Sequence, residues 1–260
     1  MSQTEQWLSS GQRREQILAY LSARDRTSVS ELSQALGVSE VTVRKDLDVL
    51  ESQGVLTRVH GGAVVSGRGR LELHFAAREQ EHLEEKRRIA QAAAALIQSG
   101  QRVFLDASTT ALQVARLIKD REDLVVVTNG LYTALELNFC TGITTIVVGG
   151  IMRRRSSSLV GSLNYNSLQR LRVDVGLFGA RSVTARDGLM ESEIDEAQLK
   201  QQMVSASSLV VGIVDSSKFG VVAFSAFALP HEIDRIITNE AAPASQVSEL
   251  RERDIIVTLV

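Results

Sequence analysis

The chain has little of what would point to a disulfide framework, a membrane or a metal. Among 260 residues there is one cysteine, Cys140, so no internal disulfide can form and a reducing cytoplasm is the expected home. The four histidines are scattered and never at ligand spacing, so neither a metal site nor any other cofactor is expected. No apolar run approaches the roughly 20 residues that span a bilayer, and no membrane partner is expected. Residues 1–11 lack the charged-then-apolar pattern of a signal peptide. Net charge of either sign is also small. The net charge is −2, divided as +1 over residues 1–70 and −3 over 71–260. Bulk charge therefore does not suggest nucleic acid; if the chain binds DNA, the positive field must be local.

What is there suits a small domain followed by a larger one. The stretch from Val38 to Leu50 organises the first. Ser39 is a good N-cap, because its hydroxyl can accept from a free amide of the first turn. Val43, Leu47 and Leu50 then recur at i, i+4 and i+7, which makes one apolar stripe. Val41, Lys45 and Asp48 fall opposite it, with Thr42 and Arg44 on its flanks. Such a helix can pack by one face and offer cations, a hydroxyl and an apolar tip by the other. A major-groove reader needs that mixture for phosphates, guanine and thymine methyls.

The surroundings fit. Arg13 to Leu21 has apolar residues at helical spacing. Ser30 is expected to cap a short second helix, Glu31 to Leu36, which stops at Gly37. The third helix begins two residues on, a helix-turn-helix arrangement. Val55–Val59, a turn at His60-Gly61-Gly62 and Ala63–Val65 read as a hairpin. Spacing alone leaves a plain three-helix bundle with a hairpin equally open.

Ser66-Gly67-Arg68-Gly69-Arg70 is small, flexible and basic, and marks the domain boundary. The expected division is 1–65, a linker at 66–77, and 78–260. The linker arginines suit either DNA phosphate or plain solvation. Arg78 to Ile97 reads as one long amphipathic helix, with Ile89, Ala93, Leu96 and Ile97 inward and Glu84, Lys86 and Arg87 outward. Short Val/Ile strands then alternate with helices: 102–105, 124–127, 145–148, 173–177, 209–214, 235–238 and 254–257. The fold class is therefore α/β, with a mostly parallel sheet covered on both faces.

Ligands of such sheets sit at the carboxyl ends of the strands. The first strand is followed by Asp106-Ala107-Ser108-Thr109-Thr110, directly before a helix. Hydroxyls and free helix amides there make an anion cradle, although such a run is more often only a cap. Thr128-Asn129-Gly130 follows the second strand. Gly149-Gly150 and Arg153-Arg154-Arg155 follow the third; an arginine triplet is usually a solvated turn or a subunit contact. Asp215-Ser216-Ser217-Lys218 follows a later strand, and Lys218 is a point charge suited to phosphate. Together these favour a phosphorylated small molecule.

Thr42-Val43-Arg44-Lys45-Asp46-Leu47, Leu50-Glu51, Gly54 and Arg58-Val59-His60-Gly61-Gly62-Ala63 resemble the N-terminal signature of the DeoR family of bacterial transcriptional repressors. That pattern usually has two arginines before the aspartate; here Arg44 is followed by Lys45. The second domain resembles the family's sensor domain, related to ribose-5-phosphate isomerase. Asp106 to Thr110 matches its phosphate loop, with Ala107 where glycine is usual. Thr128 to Gly130, Gly149-Gly150 with Arg153, Gly161, and Asp215 to Lys218 match further blocks. The resemblance implies a winged helix-turn-helix joined to a ribose-5-phosphate-isomerase-like α/β sensor. It implies a homo-oligomer, dimer or tetramer, that binds a duplex DNA operator of a carbohydrate-use operon and is released by a phosphorylated sugar. An activator would differ only in promoter geometry. The expected DNA-binding residues are Ser39, Val41, Thr42, Arg44, Lys45, Arg58, His60 and Gly61. The expected effector residues are Asp106, Ser108, Thr109, Thr110, Thr128, Asn129, Gly149, Gly150, Arg153 and Lys218.

The rival is a sugar-phosphate isomerase with an accessory DNA-binding domain. Isomerases of this fold carry two aspartates in a Gly-Ala-Asp-x-x-Asp loop. The matching stretch, Gly179 to Thr184, has Arg181 and Thr184 instead, and neither can act as a carboxylate acid or base. Glu193, Asp195 and Glu196 lie nearby, but their spacing fits an exposed helix start, where acids favour the dipole. No catalytic residue is expected.

Overall fold

The computed structural model describes residues 10–22, 26–52, 56–59, 61–64, 75–153, 156–161 and 168–260. Contacts divide the chain into two compact units, 1–80 and 81–260.

In the first unit, α1 (Ser10–Ser22), α2 (Val29–Leu36) and α3 (Glu40–Ser52) enclose a core of Ile17, Leu21, Leu32, Val43, Leu47 and Leu50. The apolar stripe read on α3 is thus its inward face. Gly37 ends α2 in the left-handed region at φ 65, the conformation expected of a helix stop. The cap of α2 differs from the expectation. Ser28, not Ser30, accepts from Glu31 N–H, and Glu31 reaches back to Ser28 N–H, closing a capping box. The helix therefore starts two residues earlier. β1 (Arg26–Ser28), absent from the sequence reading, joins β2 (Thr57–Val59) and β3 (Gly62–Val64) in an antiparallel sheet ordered β1-β3-β2. Three helices and this sheet make a winged helix-turn-helix. α4 (Phe75–Gln80) also belongs to this unit: Phe75 is buried and Ala77 packs on the helix core. The basic linker, Ser66 to Arg70, lies outside the described residues.

The single helix expected over Arg78–Ile97 is two helices. His82 takes a left-handed conformation, φ 52, between α4 and α5 (Leu83–Ala94). Lys86 was expected to face water. It is buried, and its ammonium donates to the Glu81 carbonyl at 2.5 Å.

The second unit is built on β4 (Arg102–Leu105), β5 (Leu124–Thr128), β6 (Ile143–Val147), β9 (Val173–Phe178), β12 (Ser207–Ile213), β14 (Arg235–Thr238) and β15 (Ile256–Leu259), after a hairpin β7 (Ile151–Arg153) and β8 (Ser158–Val160). The seven strands are parallel, in the order β15-β14-β12-β9-β4-β5-β6. Alternate residues supply two core layers. Val103, Leu105, Val126 and Val175 pack with α5, α6 (Thr109–Leu117) and α7 (Leu131–Leu137). Phe104, Phe178, Val210 and Ile236 pack with α8 (Ile194–Ser205) and α9 (Ala244–Arg251). The expected mostly parallel sheet, covered on both faces, is what forms. The last strand begins two residues later than expected, because Asp254 takes a left-handed turn, φ 63, after α9. A small antiparallel sheet, β10 (Ser182–Thr184), β11 (Gly188–Glu191) and β13 (Ser225–Ala228), follows β9 in the chain.

The strand order fixes where a ligand can enter. From β4 the chain runs outward through β5 to β6, then returns to β9 on the other side of β4 and runs outward through β12 to β15. The carboxyl ends of β4 and β9 flank the topological switch point, where open α/β sheets leave a crevice.

Candidate functional site

On the first unit, the side of α3 opposite its core face carries the expected readers. Val41 is 60% exposed, Arg44 and Lys45 are exposed, and Thr42 is half-buried. Ser39 caps α3, accepting from Thr42 N–H at 3.3 Å and sharing a hydroxyl bond with Thr42 at 2.9 Å. Arg44 pairs with Glu40 one turn back at 2.8 Å. Arg58 on β2 pairs with Asp48 of α3, and its backbone N–H donates to Glu51 at 2.9 Å. Lys45 has no acidic partner among the described residues. Asp46 is buried and receives Arg13 of α1 at 2.5 Å, which ties α3 to the bundle. Gly61 is exposed in the turn between β2 and β3, φ 78. His60 lies outside the described residues.

On the second unit, the end of β4 is wired to the end of β9. Asp106 is fully buried; one carboxylate oxygen accepts from Ser108 N–H at 3.0 Å, the other from Gly179 N–H at 2.9 Å. The second oxygen also lies 2.7 Å from the Lys200 ammonium. Only glycine fits at 179, since a Cβ there would stand 2.4 Å from Ser108 Cβ. Lys200 donates to Glu191 at 2.5 Å and to the Gly179 carbonyl at 2.9 Å, and sits over the Phe227 ring. Burial pushes Lys200 down, but Asp106, Glu191 and Glu196 outweigh it and hold the ammonium above its ordinary range. Burial, helped by Glu196 and Asp106, raises Glu191 although Lys200 opposes the shift. The two directions agree physically, because several carboxylates compete for one ammonium and one of them must yield.

Ser108 caps α6, accepting from Ala111 N–H at 3.1 Å. Thr109 and Thr110 are buried in its first turn, beside the free amides. At the end of β5, Thr128 accepts from Gly130 N–H at 3.0 Å. Asn129 is fully buried; its amide nitrogen donates to Glu196 at 3.0 Å and to the Leu159 carbonyl at 3.2 Å. Its oxygen is buried with no hydrogen-bond partner. The other Glu196 oxygen receives Arg153 at 2.9 Å and Ser158 at 2.6 Å. The β7–β8 hairpin is thereby strapped to α8 and to the end of β5. Gly149 packs against Leu159 with φ 137, and Gly150 is exposed at the hairpin's entrance. Arg153, the first of the arginine triplet, is mostly buried in this network; Arg154 and Arg155 lie outside the described residues.

At the end of β12, Asp215 is buried and accepts from Ser217 N–H at 3.0 Å, with Lys218 3.8 Å away. Burial pushes Asp215 up, but Lys218, Ser217 and Lys86 together hold it below the ordinary carboxylate range. β12 stands two places from β4, so their carboxyl ends are about 10 Å apart across the sheet.

Sequence reasoning missed Glu191, Glu196, Lys200, Ser158 and Lys86. It put Glu196 on an exposed helix start; Glu196 is buried at the centre of the second network. Glu193 and Asp195 are exposed, as that reading expected. The signal for the others was present: Glu196, Lys200 and Met203 recur at i, i+4 and i+7, so an acid and a lysine share a stripe with a core methionine. A cleft of about 330 Å³ lined by Leu112, Tyr132 and Phe139 lies elsewhere, between α6 and α7, and none of the expected effector residues lines it.

Residues 13–68 match the DeoR-like helix-turn-helix domain, and residues 81–240 match the DeoR C terminal sensor domain. The chain belongs to the DeoR family. The chain is 36% identical over 249 residues to the uncharacterized HTH-type transcriptional regulator YulB of Bacillus subtilis, covering 96% of each. It is 34% identical to the putative aga operon transcriptional repressor of Escherichia coli O157:H7, covering 96% of this chain and 93% of that one. It is 32% identical to the L-fucose operon activator of Haemophilus influenzae, covering 95% and 99%. Among solved structures, a D-ribose-5-phosphate isomerase in complex with phospho-erythronic acid is similar at a TM-score of 0.40 and 17% identity, covering 53% of this chain and 54% of that one. This DeoR-family chain is a transcriptional regulator with a DNA-binding head and a small-molecule sensor, and not an enzyme. No described helix is long and apolar enough to cross a membrane.

Proposed function

We propose that the protein is a cytoplasmic, homo-oligomeric repressor of a carbohydrate-use operon, released from its operator by a phosphorylated sugar. In this reading the head read over 1–65 extends through α4 to Gln80, taking in part of the 66–77 linker, and the sensor read over 78–260 runs from Glu81. The observation that carries the sensor reading is the row of polar strand ends on β12, β9, β4 and β5 at the switch point. At one position an anion meets the free amides and hydroxyls of the α6 N-terminus, Ser108, Thr109 and Thr110. Lys218, at the end of β12 two strands away, supplies charge. Asn129, Glu196 and Arg153 offer polar groups to the sugar. Asp106 acts from behind: its carboxylate is spent on Lys200 and two backbone amides, so it shapes the loop. Release requires that the ligand favour the conformation that binds DNA poorly; equal affinity for both would shift nothing.

The test is a thermal-shift screen of sugar phosphates on the full chain, followed by operator release by the best ligand. Thr109→Ala and Lys218→Ala are expected to keep operator affinity and lose release. A free sugar that released the protein as well as its phosphate would sink the cradle assignment. A screen in which no sugar phosphate raised the melting temperature would sink the effector class.

A further inference from the structure

α7 is apolar on two sides, and a helix of that kind is covered on both. Its inner side is accounted for: Leu137 packs in the core layer and Thr133 is buried. Tyr132 and Leu135, with Phe139 in the turn just after the helix, recur at i, i+3 and i+7 and make a second stripe. That stripe faces water. Tyr132 is 41% exposed, Leu135 66% and Phe139 89%. With roughly 150–250 Å² for a large side chain, the three expose on the order of 350 Å² together. The stripe is also one wall of the cleft of about 330 Å³ between α6 and α7, and Leu112, Arg116 and Lys119 are the other. Glu136 holds Arg116 at 3.3 Å and Lys119 at 2.8 Å, so the charges of this surface lie beside the stripe and not in it.

We propose that this face is a contact between two copies of the chain, in which Phe139 of each fills the α6–α7 cleft of the other about a two-fold axis. The inference rests on the homo-oligomer reading above and says which surface makes the oligomer. Three observations select a second copy as the occupant. The first is self-complementarity. A two-fold contact uses the same patch on both sides, so that patch must carry both a projection and a recess. Phe139 projects, and the cleft beside it has room for an aromatic ring. Two α7 helices laid antiparallel bring Phe139 of one to the Tyr132 end of the other. The second is size. A standard interface takes roughly 600–1,000 Å² from each partner, a little over half of it apolar. The stripe supplies most of that apolar share, and Arg116, Lys119 and Glu136 make a polar rim. The third is charge. Leu135 is the middle of the stripe and lies nearest the axis, so the two copies set no like charges against each other there.

Sedimentation velocity of the full chain over a concentration series is the test. Wild-type protein is expected to associate. Leu135→Glu and Phe139→Glu each put a carboxylate into the contact and are expected to weaken association about thirtyfold or more. Both positions are exposed in the single chain, so the far-ultraviolet circular dichroism should not change, which separates a lost contact from a lost fold. If a glutamate variant does not fold, Phe139→Ala takes its place, with an expected weakening of about tenfold. Phe224→Glu, at another aromatic side chain that is 73% exposed, is the control and should leave association as it is. A tetramer that falls to dimers in the Leu135 and Phe139 variants would support the assignment. Unchanged association in those variants, or dissociation by Phe224→Glu alone, would overturn it and leave the homo-oligomer reading standing. A wild-type chain that stays monomeric at every concentration would overturn both.

Discussion

The candidate sites of the two units hold their charges in opposite ways. On the reading head, Arg44–Glu40 and Arg58–Asp48 are exposed ion pairs. In the sensor, Lys200 with Asp106 and Glu191, and Arg153 with Glu196, are buried or nearly so. Exposed pairs contribute little, with a median of about 0–1 kcal/mol, so their cations can be handed to a DNA phosphate at small cost. Buried pairs cannot be opened to water and keep their partners. The pairs at the head's candidate interface are free to exchange partners; those at the sensor's strand ends form a fixed frame.

Breaking the frame gives the largest expected effect. Lys200→Met leaves Asp106 and Glu191 buried without their cation, and is expected to cost the sensor about 3–5 kcal/mol. Urea unfolding of the full chain, followed by a probe in residues 81–260, measures it; a loss no larger than that of an exposed pair would erase the contrast. The pH dependence has a definite sign. The folded-state pKa of Lys200 lies above the ordinary 10.5, so its contribution is complete below that pH and disappears as the pH rises through the folded value.

The reading head has one pair of the buried kind, and it sharpens the comparison. Asp46 of α3 receives Arg13 of α1, with both side chains mostly buried. Asp46→Ala is expected to cost about 1.5–3 kcal/mol of head stability, the range for hydrogen bonds to charged groups. A smaller loss would mean that this pair behaves like its exposed neighbours.

The same contrast separates what was legible in the sequence from what was not. Features set by neighbours in the chain follow local spacing. The α3 stripe, the left-handed Gly37 and the alternation of strands with helices could be read because each depends on neighbours in the chain. Buried charge depends on distant segments. Glu196 and Lys200, at i and i+4 on a helix, look like a solvated pair until a hairpin some forty residues earlier brings Arg153 and Ser158 onto Glu196, and the ends of β4 and β11 bring Asp106 and Glu191 onto Lys200. Lys86 looked solvated for the same reason. The capping box at Ser28 was local and readable as Ser-x-x-Glu; Ser30, two residues on, was a competing capper. The hairpin itself was missed because two strands of three residues carry too little periodicity to be seen.

Next in size are the readers. Lys45→Ala and Arg44→Ala are expected to cost about 1–3 kcal/mol of operator affinity each if they touch bases, or to lower the salt slope by about one if they touch phosphate. Lys45 is expected to lose more, because it surrenders no internal partner on binding, whereas Arg44 gives up Glu40. Operator titration over a salt series measures both. Wild-type affinity in both variants would remove α3 as the reader.

The smallest effect is the most telling for the exchange argument. Asp48 holds Arg58, and 61% of the Asp48 side chain is exposed. If Arg58 leaves Asp48 for a phosphate, the pair opposes DNA binding by what it is worth, at most about 1 kcal/mol. Asp48→Ala should then lower head stability by less than about 1 kcal/mol and raise DNA affinity by up to about fivefold. The gain should be the same for cognate and unrelated duplexes, since a phosphate contact carries no sequence information. Arg58→Ala should do the reverse, weakening both duplexes alike and reducing the salt slope by about one. In the double variant the gain from Asp48→Ala should vanish, because no cation is left to free. The opposite outcome for Asp48→Ala, a loss confined to the cognate duplex, would make Asp48 itself a reader, accepting from a cytosine amino group in the groove. The exposed pair would then be as fixed a part of recognition as the buried ones.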